Sequence, residues 1–285
     1  MGRPHIELAV SAESSAFDAI TGFLSLEGFQ GFWEDGGTLR AYISEEGWDA
    51  GRLDAIRESL TRITGSFLLP PPALALTSVA YQNWNRTWEE TIRPIRVTER
   101  IVVAPTWHPF AGRKDEIVLT IDPKMSFGTG YHESTRLILG LIELRMTPGV
   151  RFLDAGTGTG ILAIAAVRLG AASAVGFDTD EWSFENALEN VRLNGVADRI
   201  AIRRGDIAVV TESAFGLIAA NIQKNVIEEM LPVLVSRLAP AGTLLLSGLL
   251  SGDAGPIGRT LGEAGLSITE ERRDGEWIAL AAARS

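Results

Sequence analysis

Three glycines alternate with threonines in FLDAGTGTGILAIAA, residues 152–166, directly after an acidic side chain. The apolar residues before Asp154 predict a buried strand, and those after Gly160 predict a helix. Because Gly156, Gly158 and Gly160 lack a Cβ atom, the loop between these elements can turn sharply and bring its main chain close to a ligand. The spacing is GxGxG, whereas the loop that binds a dinucleotide pyrophosphate has GxGxxG. Asp154 would repel a pyrophosphate and attract a cation, so we predict a cationic ligand here.

Two further carboxylates occur where the next strands of such a fold would end. Asp178 closes the predicted strand AVGFD, 22 residues after Gly156, at the separation where a carboxylate accepts hydrogen bonds from ribose hydroxyls. Asp206, in RRGD, follows the third strand and could accept from the exocyclic amine of an adenine. Each has a structural alternative. Asp178 could cap the next helix, for which Asp180 is the better candidate, and Asp206 could stabilise a turn.

The glycine loop and its acidic neighbours resemble motif one of the S-adenosylmethionine-dependent methyltransferases. S-adenosylmethionine has a sulfonium and an α-ammonium group, which fit the predicted cationic ligand. A hydride-transfer enzyme would share the ribose carboxylate but not the glycine spacing. We therefore expect S-adenosyl-L-methionine as the cofactor, bound by the three loop glycines and by Asp154, Asp178 and Asp206.

The fourth strand, GLIAAN, ends at Asn221, the catalytic position of this fold. An asparagine oxygen there can hold a nitrogen nucleophile in line with the methyl group, which is catalysis by positioning. Enzymes that methylate adenine or glutamine nitrogens usually have an Asn/Asp-Pro-Pro-aromatic turn at this place. This chain has Asn-Ile-Gln-Lys, which disfavours methylation of a flipped base. The structural alternative is that Asn221 caps a helix beginning near Lys224.

Residues 97–285 alternate strands and helices, which indicates a mostly parallel sheet with helices on both faces. Strands are predicted at 151–155, 173–178, 199–203, 214–220 and 242–248. The closing LSITEERRDGEWIALAAAR predicts a hairpin that turns at Asp274-Gly275, so that one strand runs antiparallel. We therefore predict an α/β, Rossmann-like, seven-stranded methyltransferase domain.

Residues 1–80 predict a separate N-terminal domain in the order strand, helix, strand, strand, helix, strand, which is the ferredoxin-like α+β arrangement. Asp49 is the predicted N-cap of its second helix. The aromatic and charged segment YQNWNRTWEETIRPIR, residues 81–96, predicts an interdomain linker that packs against both neighbours rather than a flexible tether.

The composition excludes several classes of protein. The chain has 285 residues and no cysteine, so disulfides, thiolate catalysis and cysteine metal sites are absent. Its three histidines are scattered, and we expect no metal. No run of 18 apolar residues predicts a membrane span, so we expect a cytoplasmic enzyme. A net charge of −10 argues against nonspecific nucleic-acid binding and suits a basic partner, although it could serve solubility alone.

Five segments together resemble the bacterial ribosomal-protein methyltransferases that modify large-subunit protein eleven: MSFGTGYHESTR, LDAGTGTGILAIAA, GFDTD, AANI and EWIAL. NWNRTWEETIRPIRV is similar to that family's segment between its two domains. The resemblance covers nearly the whole chain and is strongest from residue 81 to 285. It implies an N-terminal domain that recognises the ribosomal protein and a C-terminal domain that methylates lysine side chains and the α-amine.

The resemblance also implies roles for particular residues. Thr135, Gly156, Asp178 and Asn221 would contact the cofactor, although Thr135 could equally begin or cap the following helix. The loop of Phe127, Gly128, Thr129 and Gly130 would close over the methionine end of the cofactor. The sequence departs from the family at Tyr131, where threonine or histidine is expected, at Thr157 and Thr159, where cysteine and serine are common, and at the IQKN segment after Asn221.

Three functions stay open at this point. The first is methylation of large-subunit ribosomal protein eleven, and the second is methylation of another protein's amine or of a small amine. The third is a regulatory module that binds S-adenosylmethionine without turnover. We expect no direct nucleic-acid binding, no membrane association and a monomer.

Overall fold

The computed structural model describes residues 5–49, 51–79, 92–124 and 126–284, and the chain divides into two compact units, residues 1–87 and 88–285. Residues 81–91 of the predicted linker, 81–96, lie outside the described residues. None of the helices in these ranges is both long enough and apolar enough to cross a membrane.

The first unit contains four strands and two helices: β1 (His5–Ser11), α1 (Phe17–Leu26), β2 (Gln30–Asp35), β3 (Thr38–Ser44), α2 (Arg52–Ser66) and β4 (Ala73–Val79). The strands form an antiparallel sheet with the order β2-β3-β1-β4. Alternate apolar side chains of β1 and β3 are buried, and they pack against Ile20 and Leu24 of α1 and Ile56 and Leu60 of α2. This is the ferredoxin-like arrangement that the sequence predicts.

Asp49 does not cap α2, contrary to the prediction. The helix begins at Arg52 after Gly51, and no side chain caps its first turn. The Asp49 carboxylate instead accepts from the amide of Gly51 at 2.9 Å, a local bond that aspartate often makes to the backbone two residues on.

The second unit begins with a small sheet of three strands, β5 (Ile95–Arg96), β6 (Ile101–Ala104) and β7 (Ile117–Thr120). Strand β5 is antiparallel to β6, and β6 is parallel to β7. The helix α3 (Glu133–Arg145) follows and leads into the main sheet.

The main sheet has seven strands: β8 (Arg151–Ala155), β9 (Ser173–Asp178), β10 (Ile200–Arg204), β11 (Phe215–Asn221), β12 (Leu238–Leu250), β13 (Leu266–Asp274) and β14 (Trp277–Arg284). Their order is β10-β9-β8-β11-β12-β14-β13, and β14 is antiparallel to both of its neighbours. The chain runs outward from β8 to β10 and then returns to β11 on the other side. The crevice between the carboxyl ends of β8 and β11 is therefore the ligand position of a doubly wound sheet.

Helices cover both faces of this sheet: α4 (Ile161–Arg168), α5 (Glu181–Leu193), α6 (Lys224–Arg237) and α7 (Ala254–Glu263). On one face Phe152, Leu217 and Leu245 pack against α3 and α4, and on the other Leu153 and Ile218 pack against α6 and α7. Strands buried on both faces are apolar along their whole length, which explains the uninterrupted apolar runs in the sequence.

The strand predicted at 242–248 is longer in the structure because both of its ends find partners. Leu238 pairs with Phe215 of β11, and Leu250 pairs with Trp277 of β14. The predicted final hairpin is present and turns after Asp274.

Candidate active site

A cavity of about 730 Å³ opens at the carboxyl ends of β8, β9, β10 and β11. The structure brings together at its wall six of the residues selected from the sequence: Phe127, Gly156, Gly158, Asp178, Asp206 and Asn221. The other six lie behind the wall or outside it: Gly128, Thr129, Gly130, Thr135, Asp154 and Gly160.

The glycine loop has the backbone that its spacing predicts. Gly156 and Gly158 both have positive φ angles, +72° and +52°, which favour glycine. A Cβ atom on Gly156 would overlap the Ile222 side chain, and one on Gly158 would overlap the carbonyl oxygen of Phe127. Gly160 serves a different purpose: it caps α4, and a Cβ there would lie 3.3 Å from Ala187 of α5.

Every amide of this loop donates to an acceptor within the protein. The amides of Gly156 and Thr157 donate to the Phe177 carbonyl, and that of Gly158 donates to Asp178. The last two amides, of Thr159 and Gly160, donate to the carbonyls of Phe127 and Thr157. A phosphate-binding loop must offer free N–H groups to the anion. The loop is therefore unsuited to a pyrophosphate, which supports the prediction made from its spacing.

Asp154 lies beneath the loop rather than in the cavity wall. Its side chain is fully buried, and its Oδ2 accepts from the Thr157 hydroxyl at 2.7 Å and from the Ala163 amide at 3.1 Å. Its Oδ1 is buried without a hydrogen-bond partner among the described residues. Burial raises the pKa of this carboxyl to about 7, against the lowering effect of the two hydrogen bonds. Asp154 thus holds the turn from β8 into α4.

Asp178 and Asp206 lie in the wall, and each also stabilises its own turn. The Asp178 oxygens accept from the amides of Gly158 and Asp180, both at 3.0 Å, and Asp206 accepts from the amide of Ala208 at 2.9 Å. Asp178 was also considered as the cap of the next helix, but Asp180 caps α5 instead. A carboxylate oxygen has two lone pairs, so both residues can still accept from a ligand.

The described part of the wall is acidic. It contains the carboxylates of Asp178, Asp206 and Glu229, but no lysine or arginine. A cationic ligand is therefore favoured over an anionic one.

Asn221, at the end of β11, lines the cavity. Its Nδ2 donates to the Thr135 hydroxyl at 3.3 Å, while its Oδ1 is buried and has no hydrogen-bond partner among the described residues. Helix α6 is preceded by Gln223, not capped by Asn221. Thr135 is 1% exposed and lies within the first turn of α3, whose cap is His132. Thr135 therefore contacts Asn221 from behind the wall and neither begins nor caps the helix.

Two aromatic residues in the wall were not predicted as site residues from the sequence. His132 and Trp277 line the cavity beside Phe127, and the three rings meet edge to face. The ring centroids are 5.2 Å apart for Phe127 and His132 and 4.6 Å apart for His132 and Trp277. In the sequence, His132 and Trp277 could be noticed only because they lie in two of the segments that resemble the family, MSFGTGYHESTR and EWIAL.

Tyr131 lies outside this cavity. Its hydroxyl donates to the Arg93 carbonyl and accepts from the Arg93 amide at 2.6 Å. With Gly128 and Thr129 it lines a second concavity on the other side of the loop. Tyr131, where the sequence departs from the family pattern, is thus not part of the cavity wall.

The model of one protein family, described as ribosomal protein L11 methyltransferase (PrmA), matches residues 9–285. The chain belongs to this family. A ribosomal protein L11 methyltransferase from Chlorobaculum parvum is 36% identical over 278 residues, which cover 96% of this chain and 94% of the relative. One from Symbiobacterium thermophilum is 39% identical over 204 residues, 72% of this chain and 66% of the relative.

A solved structure has the same fold as much of the chain. The crystal structure of a ribosomal protein L11 methylase from Lactobacillus delbrueckii subsp. bulgaricus aligns with a TM-score of 0.64 and 33% identity. The alignment covers 68% of this chain and all of that one. The family match begins at residue 9 and therefore includes the ferredoxin-like unit as well as the α/β unit.

Proposed function

We propose that this chain transfers methyl groups from S-adenosylmethionine to the lysine side chains and the N-terminal amine of ribosomal protein L11. The relatives that match most of its length are named for methylation of that protein. The observation that carries the proposal is Asn221, which lines a cavity with no lysine or arginine in its described wall and whose buried Oδ1 has no hydrogen-bond partner among the described residues.

The residues around the cavity fit the cofactor. When bound, S-adenosylmethionine supplies a methyl group activated by a positively charged sulfur. The main chain at Gly156 and Gly158 allows close approach of a ligand, Asp178 has spare lone pairs for ribose hydroxyls, and Asp206 has them for an adenine amine. Phe127 adds an apolar side to the same cavity.

Asn221 would act by positioning the amine that accepts the methyl group. A lysine amine has a pKa of about 10.4 and is almost wholly protonated at neutral pH, whereas only the neutral form has a lone pair to react. The rings of Phe127, His132 and Trp277 line one side of the cavity, and an amine that loses water against such an apolar surface has a lowered pKa. The Asn221 oxygen then accepts an amine hydrogen and so fixes the direction of the lone pair. We assign no general base, because the proton can leave to water beforehand.

The ferredoxin-like unit would recognise the substrate, with residues 81–96 as the linker. Residues 5–79 contain eleven aspartates and glutamates but only four arginines. A ribosomal protein binds RNA and is therefore basic, so the two charges are complementary. A ribosomal substrate also implies a cytoplasmic enzyme. We further propose a monomer, which light scattering would test.

A labelled-methyl assay with purified ribosomal proteins tests this function. Wild-type protein should label L11 alone, and Asn221→Ala should label it far more slowly. Label on another protein or on a small amine would move the function to a different acceptor. Binding of S-adenosylmethionine without transfer to any acceptor would leave only a cofactor-binding module.

A further inference from the structure

Thr159 uses all of its polar groups to join the glycine loop to neighbouring segments. Its amide donates to the Phe127 carbonyl at 2.9 Å, and its hydroxyl donates to the Gly128 carbonyl at 2.7 Å. Its own carbonyl accepts from Nδ2 of Asn190 at 2.9 Å. The side chain is 0% exposed, so these bonds are shielded from competing water.

Asn190, on α5, supports this contact from behind. It is also fully buried, and its Oδ1 accepts from the Asp122 amide at 3.0 Å while its Nδ2 donates to the Asp122 carbonyl at 3.3 Å. Asp122 lies a few residues before the loop 126–130. The Asn190 side chain therefore binds both the Thr159 carbonyl and Asp122, which lies just before the loop 126–130.

The two loops touch through their main chains. A Cβ atom on Gly128 would lie 2.8 Å from the Thr159 hydroxyl, and one on Gly158 would overlap the Phe127 carbonyl. The Phe127 ring lines the cavity but is 52% exposed. Apolar burial alone therefore does little to hold this ring, and the hydrogen bonds from Thr159 set the position of its main chain.

We propose that Thr159 is a positioning residue: its hydroxyl, supported by Asn190, fixes the loop 126–130 against the glycine loop before a ligand binds. The consequence for the cofactor rests on the proposed function. If the loop 126–130 is already ordered, cofactor binding does not include the free-energy cost of ordering it, and the affinity is higher.

Amide hydrogen exchange on the ligand-free protein tests the role of the hydroxyl. Thr159→Val removes the hydroxyl at nearly constant volume, whereas Thr159→Ser keeps it. Loss of one buried hydrogen bond should speed exchange in 126–131 about tenfold in Thr159→Val. Thr159→Ser should stay within about twofold of wild type. If Thr159→Val does not fold, Thr159→Ala takes its place in the same comparison.

Thr157→Val is the matched control from the same loop. Its hydroxyl is also buried, but it donates to Asp154 and not to residues 126–130. Exchange in 126–131 should therefore stay near the wild-type rate in this variant. Equal acceleration in both valine variants would mean general destabilisation and would overturn the proposal. Acceleration in Thr159→Ser as large as in Thr159→Val would also overturn it, because the methyl group and not the hydroxyl would then hold the loop.

Calorimetry with S-adenosylhomocysteine measures the consequence for binding. Thr159→Val should raise the Kd by about three- to tenfold, and Thr159→Ser by less than about twofold. An unchanged Kd in Thr159→Val together with faster exchange would refute the link between loop order and affinity. If wild-type protein does not bind this ligand at all, the proposed function fails, while the exchange result still decides the role of Thr159.

Discussion

Replacing Asp154 with asparagine should change how stability depends on pH. Asp154 is fully buried, and this burial raises its pKa from 3.8 to about 7. The folded protein therefore binds a proton at this carboxyl more tightly than the unfolded chain does. Asparagine has a similar shape and is neutral at every pH, so it stands in for the protonated aspartic acid.

The direction of the effect follows from proton linkage. A carboxyl with a raised pKa in the folded state stabilises the fold most below pH 4, where it is protonated in both states. This advantage is lost as the pH rises from about 4 to about 7, because over this range the unfolded chain releases the proton while the buried carboxyl keeps it; above pH 7 the group is ionised in both states and the difference no longer changes. A pKa difference of about 3 units corresponds to about 4 kcal/mol as an upper limit. Between pH 5 and 7, the free energy of unfolding of wild type relative to Asp154→Asn should fall by about 1.4 kcal/mol per pH unit.

Urea unfolding followed by circular dichroism at pH 5, 6, 7 and 8 measures this difference. Comparison with Asp154→Asn isolates this carboxyl, because the substitution leaves the other carboxylates in place. Asp198→Asn is the control, because it makes the same substitution at an exposed side chain. A constant difference between wild type and Asp154→Asn from pH 5 to 8 would show that Asp154 is ionised in the folded protein, and the reasoning would be refuted.

Three further predictions concern the cavity and its chemistry. Asn221→Ala should lower kcat on the order of 100-fold with a smaller change in the Kd of S-adenosylhomocysteine, measured by steady-state kinetics and calorimetry. Gly156→Ala should raise the Kd of S-adenosylhomocysteine at least about tenfold, because the added Cβ overlaps Ile222. The control is Gly195→Ala, which also has a positive φ (+65°) but lies in open space and should leave this Kd unchanged. Methylation of a lysine peptide at saturating cofactor should speed up about tenfold per pH unit around neutrality as the free amine deprotonates, and a flat profile would contradict the neutral-amine mechanism.

The sequence predicted the elements of the α/β unit closely because their signals are local. The strands 151–155 and 173–178 have the predicted bounds. Each is an apolar run that ends at an aspartate or directly before a glycine. Asp49 shows the limit of such signals, since an aspartate before a helix can close its own turn instead of capping the helix.

The candidate site was predicted less completely because its contacts join distant segments. Asp154 is acidic and adjacent to the loop, but only the fold shows that its carboxylate turns inward to Thr157 and Ala163. Trp277 reaches the cavity because β14 inserts between β12 and β13, which no local pattern near residue 277 specifies. Nothing in its immediate sequence pairs it with His132.

The two ends of the reaction differ in how strictly the fold constrains them. At the cofactor end, a side chain on Gly156 or Gly158 would overlap its neighbours, and every loop amide is already committed. Few substitutions are compatible with that arrangement, so its spacing is readable in the sequence. At the end where we place the acceptor, the side chains of Gln223 and Trp277 line the cavity. We therefore expect the backbone to determine how the donor is bound, whereas the choice of acceptor would depend on side chains and on the recognition that we propose for the ferredoxin-like unit.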